Sequence, residues 1–506
     1  MMKNASPAVP DSKQGVAAKR ENLTGNMRTL SLVLSVLAFS APLVTVAGYL
    51  VFVIAPVGES APVAWIIATV VLLFFSVGYT TMTRHVPRPG AFYAYISAAF
   101  GRTPGVGGAY LAALSYILIA AGLYVFAGIT VTGLISGLGG PATPWWLWTL
   151  AALIGVNLLG YMNVDLSARV LVIVMMIEVA IVVVFDVVVM VRGGAQGLSL
   201  APINLASFIN PGAGVALLIA FGNFLGFEAT ALYRDEVRNP NKTVPRATYV
   251  SAIFIGLLYA VSGYALITAY GSGAVDAARN NPSEMFALAI NKFVLPGSSA
   301  FVNIVVATSA CASLLAIHNV ASRYMYNLGV DRALPSFLGK VNPRHKSPSR
   351  ASMAVGVIIL VLLVVVAGPF VVANSDPSVL IGAGSGLGSA GVLILMAIVS
   401  LAVIVWFART GVPTTENSWK VFIAPAISFL SLGAMVSFGL VRFDLLVGGT
   451  PGEFTWLLAV LLGVFAAGCA VALYFRSSKP EIYALLGRRD RKIDEERLEV
   501  EVPTAP

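Results

Sequence analysis

Residues 222–247 read GNFLGFEATALYRDEVRNPNKTVPRA, an apolar half joined to a polar one. The apolar half is interrupted by Gly222, Asn223 and Gly226 and holds one carboxylate, Glu228. The polar half is bounded by prolines and reads as a loop on the cytoplasmic side. Glycine is a weak helix former, so these positions are places where backbone N–H and C=O groups leave the hydrogen-bond ladder. Within a bilayer, freed groups are tolerated only where protein covers them or where they line a cavity. A break of this kind near the middle of the membrane predicts a solute site in a protein that moves its ligand across.

The rest of the chain supports that setting. Its 506 residues are 58% apolar and 11% charged, with a mean hydropathy of +0.86, which describes a polytopic membrane protein. Residues 29–58, 60–83, 247–275, 293–322, 351–375, 377–408, 421–441 and 454–475 each lack Lys, Arg, Asp and Glu. Each can cross a hydrocarbon core of about 30 Å, which takes roughly 20 helical residues. The uncharged run 103–164 is too long for one helix, and Pro141 and Pro144 divide it into two. Residues 170–191, which contain Glu178 and Asp186, and residues 212–233 complete twelve predicted spans.

Basic residues orient them. With both termini on the cytoplasmic side, only Arg192, Arg279, Lys292 and Arg442 of the 32 Lys and Arg fall outside. That bias follows the positive-inside rule, and it accounts for the net charge of +9 as a topology signal rather than a nucleic-acid surface. The expected location is the plasma membrane, with lipid as the surrounding partner and no nucleic acid. Cys311 and Cys469 both fall within spans, which argues against a disulfide framework. Residues 1–28 and 476–506 read as cytoplasmic tails, the latter carrying the charged run 488–497, and no cleavable signal peptide is evident.

A second break lies in the first span, where Ser40-Ala41-Pro42-Leu43 places a proline mid-helix. The first and sixth spans run in opposite directions and lie five spans apart. Matched breaks in such a pair predict a five-plus-five inverted repeat: a transport core over 29–408, then two additional helices over 409–475. A simple kink at Pro42, with glycines serving close helix packing, is the alternative.

The quoted stretch resembles the sixth-helix and following-loop signature of the amino acid–polyamine–organocation (APC) permeases. Two further stretches are similar to motifs of that family: VPRPGAFYAYISAAFG at 86–101 and ASRYMYNLGVDRALPSFLGKVNPRHKSP at 321–348, in the same order along the chain. The resemblance implies an all-α, leucine-transporter-like fold, alternating access, and import or exchange of amino acids or related amines. In the family's first helix a Gly-Ser-Gly-like run is usual, and here Ser40-Ala41-Pro42 stands instead. Many relatives carry an aromatic gate at the position of Gly222; Phe221 or Phe224 replaces it here, or the pocket is wider.

An amino acid zwitterion needs donors for its carboxylate and acceptors for its ammonium. A half-helix N-terminus supplies the first and a half-helix C-terminus the second. The candidate binding residues are therefore Ser40, Ala41, Pro42 and Leu43 in the first span and Phe221, Gly222, Asn223, Phe224, Leu225 and Gly226 in the sixth.

Glu178 and Glu228 are the candidate coupling and gating residues. Glu178 lies nine residues after Arg169, roughly 14 Å into the membrane at ~1.5 Å per residue. An acid at that depth costs about 2.5–3.5 kcal/mol on insertion scales and marks a functional position by default. In several family members the matching fifth-helix position carries a lysine proposed to replace a bound cation. We read Glu178 as coupling solute movement to protons. A neutral structural acid and a sodium ligand with Ser or Thr partners are the alternatives. Glu228 reads either as a gating residue of the inner bundle or as an ion-pair partner at the inner mouth. Asp186, six residues before Arg192, reads as a solvated group at an outer vestibule. Ser309, Cys311 and Ser313 face either the cavity or a neighbouring helix, and Trp145, Trp146 and Trp148 read as an interfacial anchor.

A membrane-embedded enzyme is disfavoured. His85, His318 and His345 are scattered and show no metal-ligand spacing, and no cofactor or metal is expected. No soluble signalling domain accompanies the spans to suggest a sensor. A polyamine or ethanolamine carrier remains the main rival to an amino acid carrier, and an exchanger the rival to a proton symporter. The substrate and the oligomeric state are left open.

Overall fold

Pro42 opens a helix instead of kinking one. In the computed structural model, which describes residues 28–86, 91–162, 168–228, 230, 237–342 and 347–486, α1 (Thr29–Ser40) stops at Ser40. Ala41 turns into the left-handed region at φ +42°, and Pro42 starts α2 (Pro42–Gly48). At a first helical position the missing proline N–H has no intrahelical partner to lose, and its fixed φ suits the helix. After a turn, α3 (Val51–Val57) follows, and residues Pro42–Ser60 together are long enough to cross a membrane.

The remaining elements follow in order: α4 (Pro62–His85), α5 (Ala91–Phe100), α6 (Arg102–Gly137), α7 (Trp145–Met162), α8 (Ala168–Arg192), α9 (Leu205–Phe208) and α10 (Ala213–Gly222). Next come α11 (Pro240–Tyr270), α12 (Ala274–Asn280), α13 (Met285–Phe293), α14 (Ser299–Val330), α15 (Ser349–Leu362), α16 (Gly368–Val372) and α17 (Ser378–Thr410). The chain then forms α18 (Ala424–Val441), α19 (Asp444–Val447), α20 (Trp456–Ser478) and α21 (Pro480–Leu485). Among the described residues no strand forms, and eleven helices are long and apolar enough to span a bilayer.

The twelfth expected span, 212–233, is not a continuous helix. Only the ten residues of α10 are regular before the chain enters a series of turns at Asn223. One other boundary also differs from expectation. The loop drawn through residue 246 is helical from Pro240, because proline at the first position and Asn239 C=O, which accepts from Lys242 and Thr243, nucleate α11 early. The motif at 86–101 holds the short helix α5, its Phe92, Tyr95 and Ile96 buried at helical spacing.

Packing centres on α6, which touches α5, α7, α14, α17 and α20. Small residues make the closest of these contacts possible: Gly384 and Gly388 of α17 lie against the carbonyls of Leu118 and Ser115 on α6. A second group packs α4 on α11 and α18, with α10 lodged against α3, α17 and α18. The tails at 1–27 and 487–506, and the predicted motif residues at 87–90, 163–167, 231–236 and 343–346, including His345, lie outside the described residues.

Candidate functional site

The two breaks meet. Ser40, at the end of α1, shares a 2.8 Å hydrogen bond with Tyr259 of α11, and its hydroxyl donates to the carbonyl of Asn223 at 3.4 Å. Between the breaks lies a cavity of about 60 Å³, room for roughly two waters at ~30 Å³ each. An amino acid is larger than that, so the site is contracted in this arrangement. Of the ten candidate binding residues, Ser40, Ala41, Gly222, Asn223 and Leu225 line the cavity. Pro42, Leu43, Phe221, Phe224 and Gly226 do not.

Phe221, Phe224 and Gly226 are excluded for local reasons. Phe221 and Phe224 point away into packing, and Phe224 stands edge-on to Tyr259. No aromatic fills the gate position at Gly222, and Ser389 of α17 occupies the space beside it. A Cβ at residue 222 would collide with Ser389 Oγ. Gly226 makes the turn itself, with φ +108°, a conformation that side-chain-bearing residues rarely adopt. The Asn223 side chain, with its amide turned to satisfy both neighbours, accepts from Trp65 Nε1 at 3.1 Å and donates to Ile219 O at 3.2 Å. It holds the end of α10 against α4, and the Asn223 backbone carbonyl is the group turned toward Ser40.

The walls of the cavity include residues that the sequence reading passed over: Val44, Thr45 and Tyr49 of the first segment, Ile119 and Leu123 of α6, Ile317 of α14, and Ser385 and Ser389 of α17. Ser385 and Ser389, four residues apart on one helical face within GAGSGLGSAG, were the available signal for α17. The lining contains no ionisable acid or base, with Tyr49 its only phenol.

Glu178 lies behind the first break rather than in the cavity. It is 4% exposed, and its Oε2 accepts from the backbone N–H of Leu43 at 3.4 Å. It therefore stands at the N-terminus of α2, where the helix dipole and an unpaired N–H favour a negative group. Ser309 of α14 faces the same carboxylate without good hydrogen-bond geometry, and Ser313 of that helix lines the cavity. Cys311, between them, is exposed.

Glu228 closes the second break. Its Oε2 accepts from the N–H of Gly226 at 2.9 Å and its Oε1 from Tyr116 of α6 at 2.7 Å, while its backbone carbonyl accepts from Tyr79 of α4 at 2.7 Å. Tyr116 stacks on Tyr324, and Tyr79 meets Tyr95, whose hydroxyl pairs with Thr83 at 2.8 Å. Tyr95 and Tyr324, which lie in the two further motif stretches, thus stand around this acid through Tyr79 and Tyr116. Both carboxylate oxygens are satisfied by neutral donors, and among the described residues Glu228 makes no ion pair. Beside it, Leu72, Phe227 and Met396 line a void of only about 10 Å³.

Asp186 is not the solvated group its position suggested. It is 3% exposed and accepts from Ser262 of α11 at 2.8 Å, because α8 turns this face toward α11. In the tryptophan cluster, Trp146 is exposed and Trp148 Nε1 donates to Thr143 Oγ1 just before α7.

Comparison with known proteins gives this arrangement its relatives. The family model described as "Amino acid permease" matches residues 28–474. The low-affinity putrescine importer PlaP of Escherichia coli K12 is 24% identical over 385 residues, 74% of this chain and 80% of that protein. The branched-chain amino acid permease BcaP of Lactococcus lactis subsp. cremoris is 25% identical over 403 residues, again 74% and 80%. The chloroplastic cationic amino acid transporter 6 of Arabidopsis thaliana is 24% identical over 469 residues, 85% and 72%. A match that runs from the first residue of α1's cap to within α20 covers both breaks and every spanning helix: this chain is a multi-pass membrane protein of the amino acid permease family, within the APC transporters.

Proposed function

We propose that the protein is a secondary transporter for neutral amino acids with small or aliphatic side chains, working by alternating access and driven by protons. The observation that carries this reading is the lining of the cavity where the two breaks meet. Backbone groups and the hydroxyls of Ser40, Thr45, Ser313, Ser385 and Ser389 suit a zwitterion's ends, and Val44, Ile119, Leu123, Ile219 and Ile317 suit an aliphatic side chain. A diamine would need a carboxylate for its second ammonium. Glu178 and Glu228 lie behind the walls, Glu228 with both oxygens engaged and Glu178 turned to the Leu43 N–H, which favours the amino acid over the polyamine. The likeness to a putrescine importer keeps the diamine as the competing substrate.

Proton coupling is assigned to Glu178. Ionised, it holds the N-terminus of α2; protonated, it loses the charge that the helix end favours, and α2 is free to move and expose the cavity. A sodium ion held by Glu178 with Ser309 and Ser313 is the rival arrangement. The twelve-span, five-plus-five organisation belongs to the same proposal, with residues 29–408 as the moving core, α10 and the turns after it as the sixth span, and α18 and α20 as additions. So does a plasma-membrane location with both tails cytoplasmic.

Uptake into proteoliposomes tests it. Labelled amino acids and polyamines are offered under an inward proton gradient, an inward sodium gradient, or neither with substrate preloaded. Proton-driven accumulation of leucine, alanine or valine is expected. Uptake seen only with preloaded substrate would make the protein an exchanger, and putrescine alone would replace the substrate assignment. For the coupling residue, Glu178→Gln is expected to abolish proton-driven accumulation while leaving exchange; an unchanged pH dependence would remove Glu178 from the mechanism.

A further inference from the structure

A second cavity lies toward the opposite end of the helices from Glu228, and nothing in the transport reading uses it. Its volume is about 180 Å³, room for roughly six waters. It forms where α2, α6, α13 and α14 converge, three times the size of the contracted cavity at the breaks. Ala47 of α2 and Phe286 of α13 supply apolar wall, and Thr130, Ser283 and Asn303 supply polar wall. The hydroxyl of Thr132 in this lining is buried without a hydrogen-bond partner.

The charge in the lining has one sign. Glu284 is its only ionisable group. The nearest basic residues along the chain are engaged elsewhere: Arg279 donates to the carbonyl of Ala55 at 3.2 Å, and Lys292 lies over the Phe293 ring at 5.1 Å. A cavity of this size, smaller than a drug-sized pocket, with one carboxylate, several hydroxyl and amide groups and an apolar wall is complementary to a single small organic ammonium with a short hydrocarbon body.

Along α6 the two cavities are separated in register. Leu123 lines the inner one and Ile129 the outer, six residues or roughly 9 Å further on at ~1.5 Å per residue. Phe126 lies between them, buried and packed against Tyr49 at 5.9 Å between ring centroids. The aromatic pair makes the partition.

We propose that this outer cavity is a second ligand site, which takes an organic ammonium through Glu284 and holds it beyond the Tyr49–Phe126 partition. The assignment goes beyond the transport reading and does not depend on which solute is carried. Its test is accessibility of a thiol placed in the wall, Val306→Cys, in a background of Cys311→Ser and Cys469→Ser. The probes are a cationic aminoethyl and an anionic sulfonatoethyl methanethiosulfonate. Competing ligands are isoamylamine and 4-methylpentanoate, which divide leucine into its ammonium half and its carboxylate half.

The cationic reagent is expected to react at least ten times faster than the anionic one. Isoamylamine should slow the reaction about fivefold or more, and 4-methylpentanoate should not. Glu284→Gln should remove both effects and Glu284→Asp keep part of them. Equal protection by the two competitors, protection that survives Glu284→Gln, or no labelling of the V306C chain would each overturn the site. Ala287→Cys on the facing wall is the second reporter if V306C does not fold. Gly222→Leu, which obstructs the inner cavity, should abolish uptake and leave the protection intact, so failure of transport and failure of the outer site give different results.

Discussion

At the residue scale, two positions carry strain or crowding that a substitution can expose. Ala41 holds a left-handed conformation that costs an L-residue of its kind about 1–2 kcal/mol, set by the need to restart the chain as α2. Ala41→Gly relieves that cost but adds freedom to the unfolded chain, and is expected to melt within about 1 kcal/mol of the parent. Ala41→Val, β-branched and poorly suited to positive φ, should be clearly less stable in detergent and slower in uptake. Gly222 is crowded instead of strained. Gly222→Ala should cost about 1–3 kcal/mol by overpacking against Ser389, and Ser389→Gly in the same chain should restore most of it. Independent, additive losses in that pair would show that α10 and α17 do not touch there. The need for glycine at a break was legible from composition; the identity of its neighbour on α17 was not, because nothing within 160 residues of chain specifies which helix face arrives opposite.

At the element scale, the half-helices are held by side chains from elsewhere. Glu178 of α8 caps α2, and Glu228 folds back on Gly226 while Tyr116 of α6 fixes its other oxygen. Tyr116→Phe leaves that buried oxygen without its donor and should destabilise by about 1–3 kcal/mol. It should also loosen the contact between the sixth-span break and α6, read as faster labelling of a cysteine at Leu225 by a membrane-impermeant reagent from the basic side. A variant as stable and as slowly labelled as the parent would mean that the tyrosine only fills space. The sequence reading placed both acids at membrane depth and saw that they needed partners. It left open an ion pair for Glu228, since distance along a helix gives depth but not the direction a side chain faces.

At the scale of the whole molecule, the basic end is tied together by one acid. Glu416, in the loop between α17 and α18, has a side chain only 3% exposed and lies 3.3 Å from Arg84 and 3.0 Å from Lys420, with His85 at 3.6 Å. Burial pushes this carboxyl up, but the hydrogen bond and charge of Lys420, with Arg84 and His85, outweigh it and hold the group below the usual carboxylate range. Its folded value is then below the unfolded one of about 4.3, so the unfolded chain takes up the proton first as pH falls. The stabilisation is fully present above about pH 4.3 and is lost as pH drops through the folded value. Thermal melts in detergent from pH 7 downward should show the parent losing more stability than Glu416→Gln, the two converging at the acid limit. Parallel curves would show that the clamp contributes nothing.

Composition and the spacing of charges determined, without any structure, that this is a polytopic helical membrane protein with breaks in its first and sixth apolar segments. Those properties are local: a run without charges, a proline or glycine inside it, a cluster of Lys and Arg beside it. The three motifs also carried the family. Only the tertiary structure decided that Ser389 occupies the space of an absent aromatic, that Asp186 turns inward to Ser262, that Glu178 stands at the head of α2, and that a separate cavity opens beside Glu284. Each of these depends on the rotation of one helix about its axis relative to another. A nearly uniform apolar helix, such as α8 or α17, carries little periodic signal to set that rotation, and it is fixed by where small residues let neighbouring backbones approach.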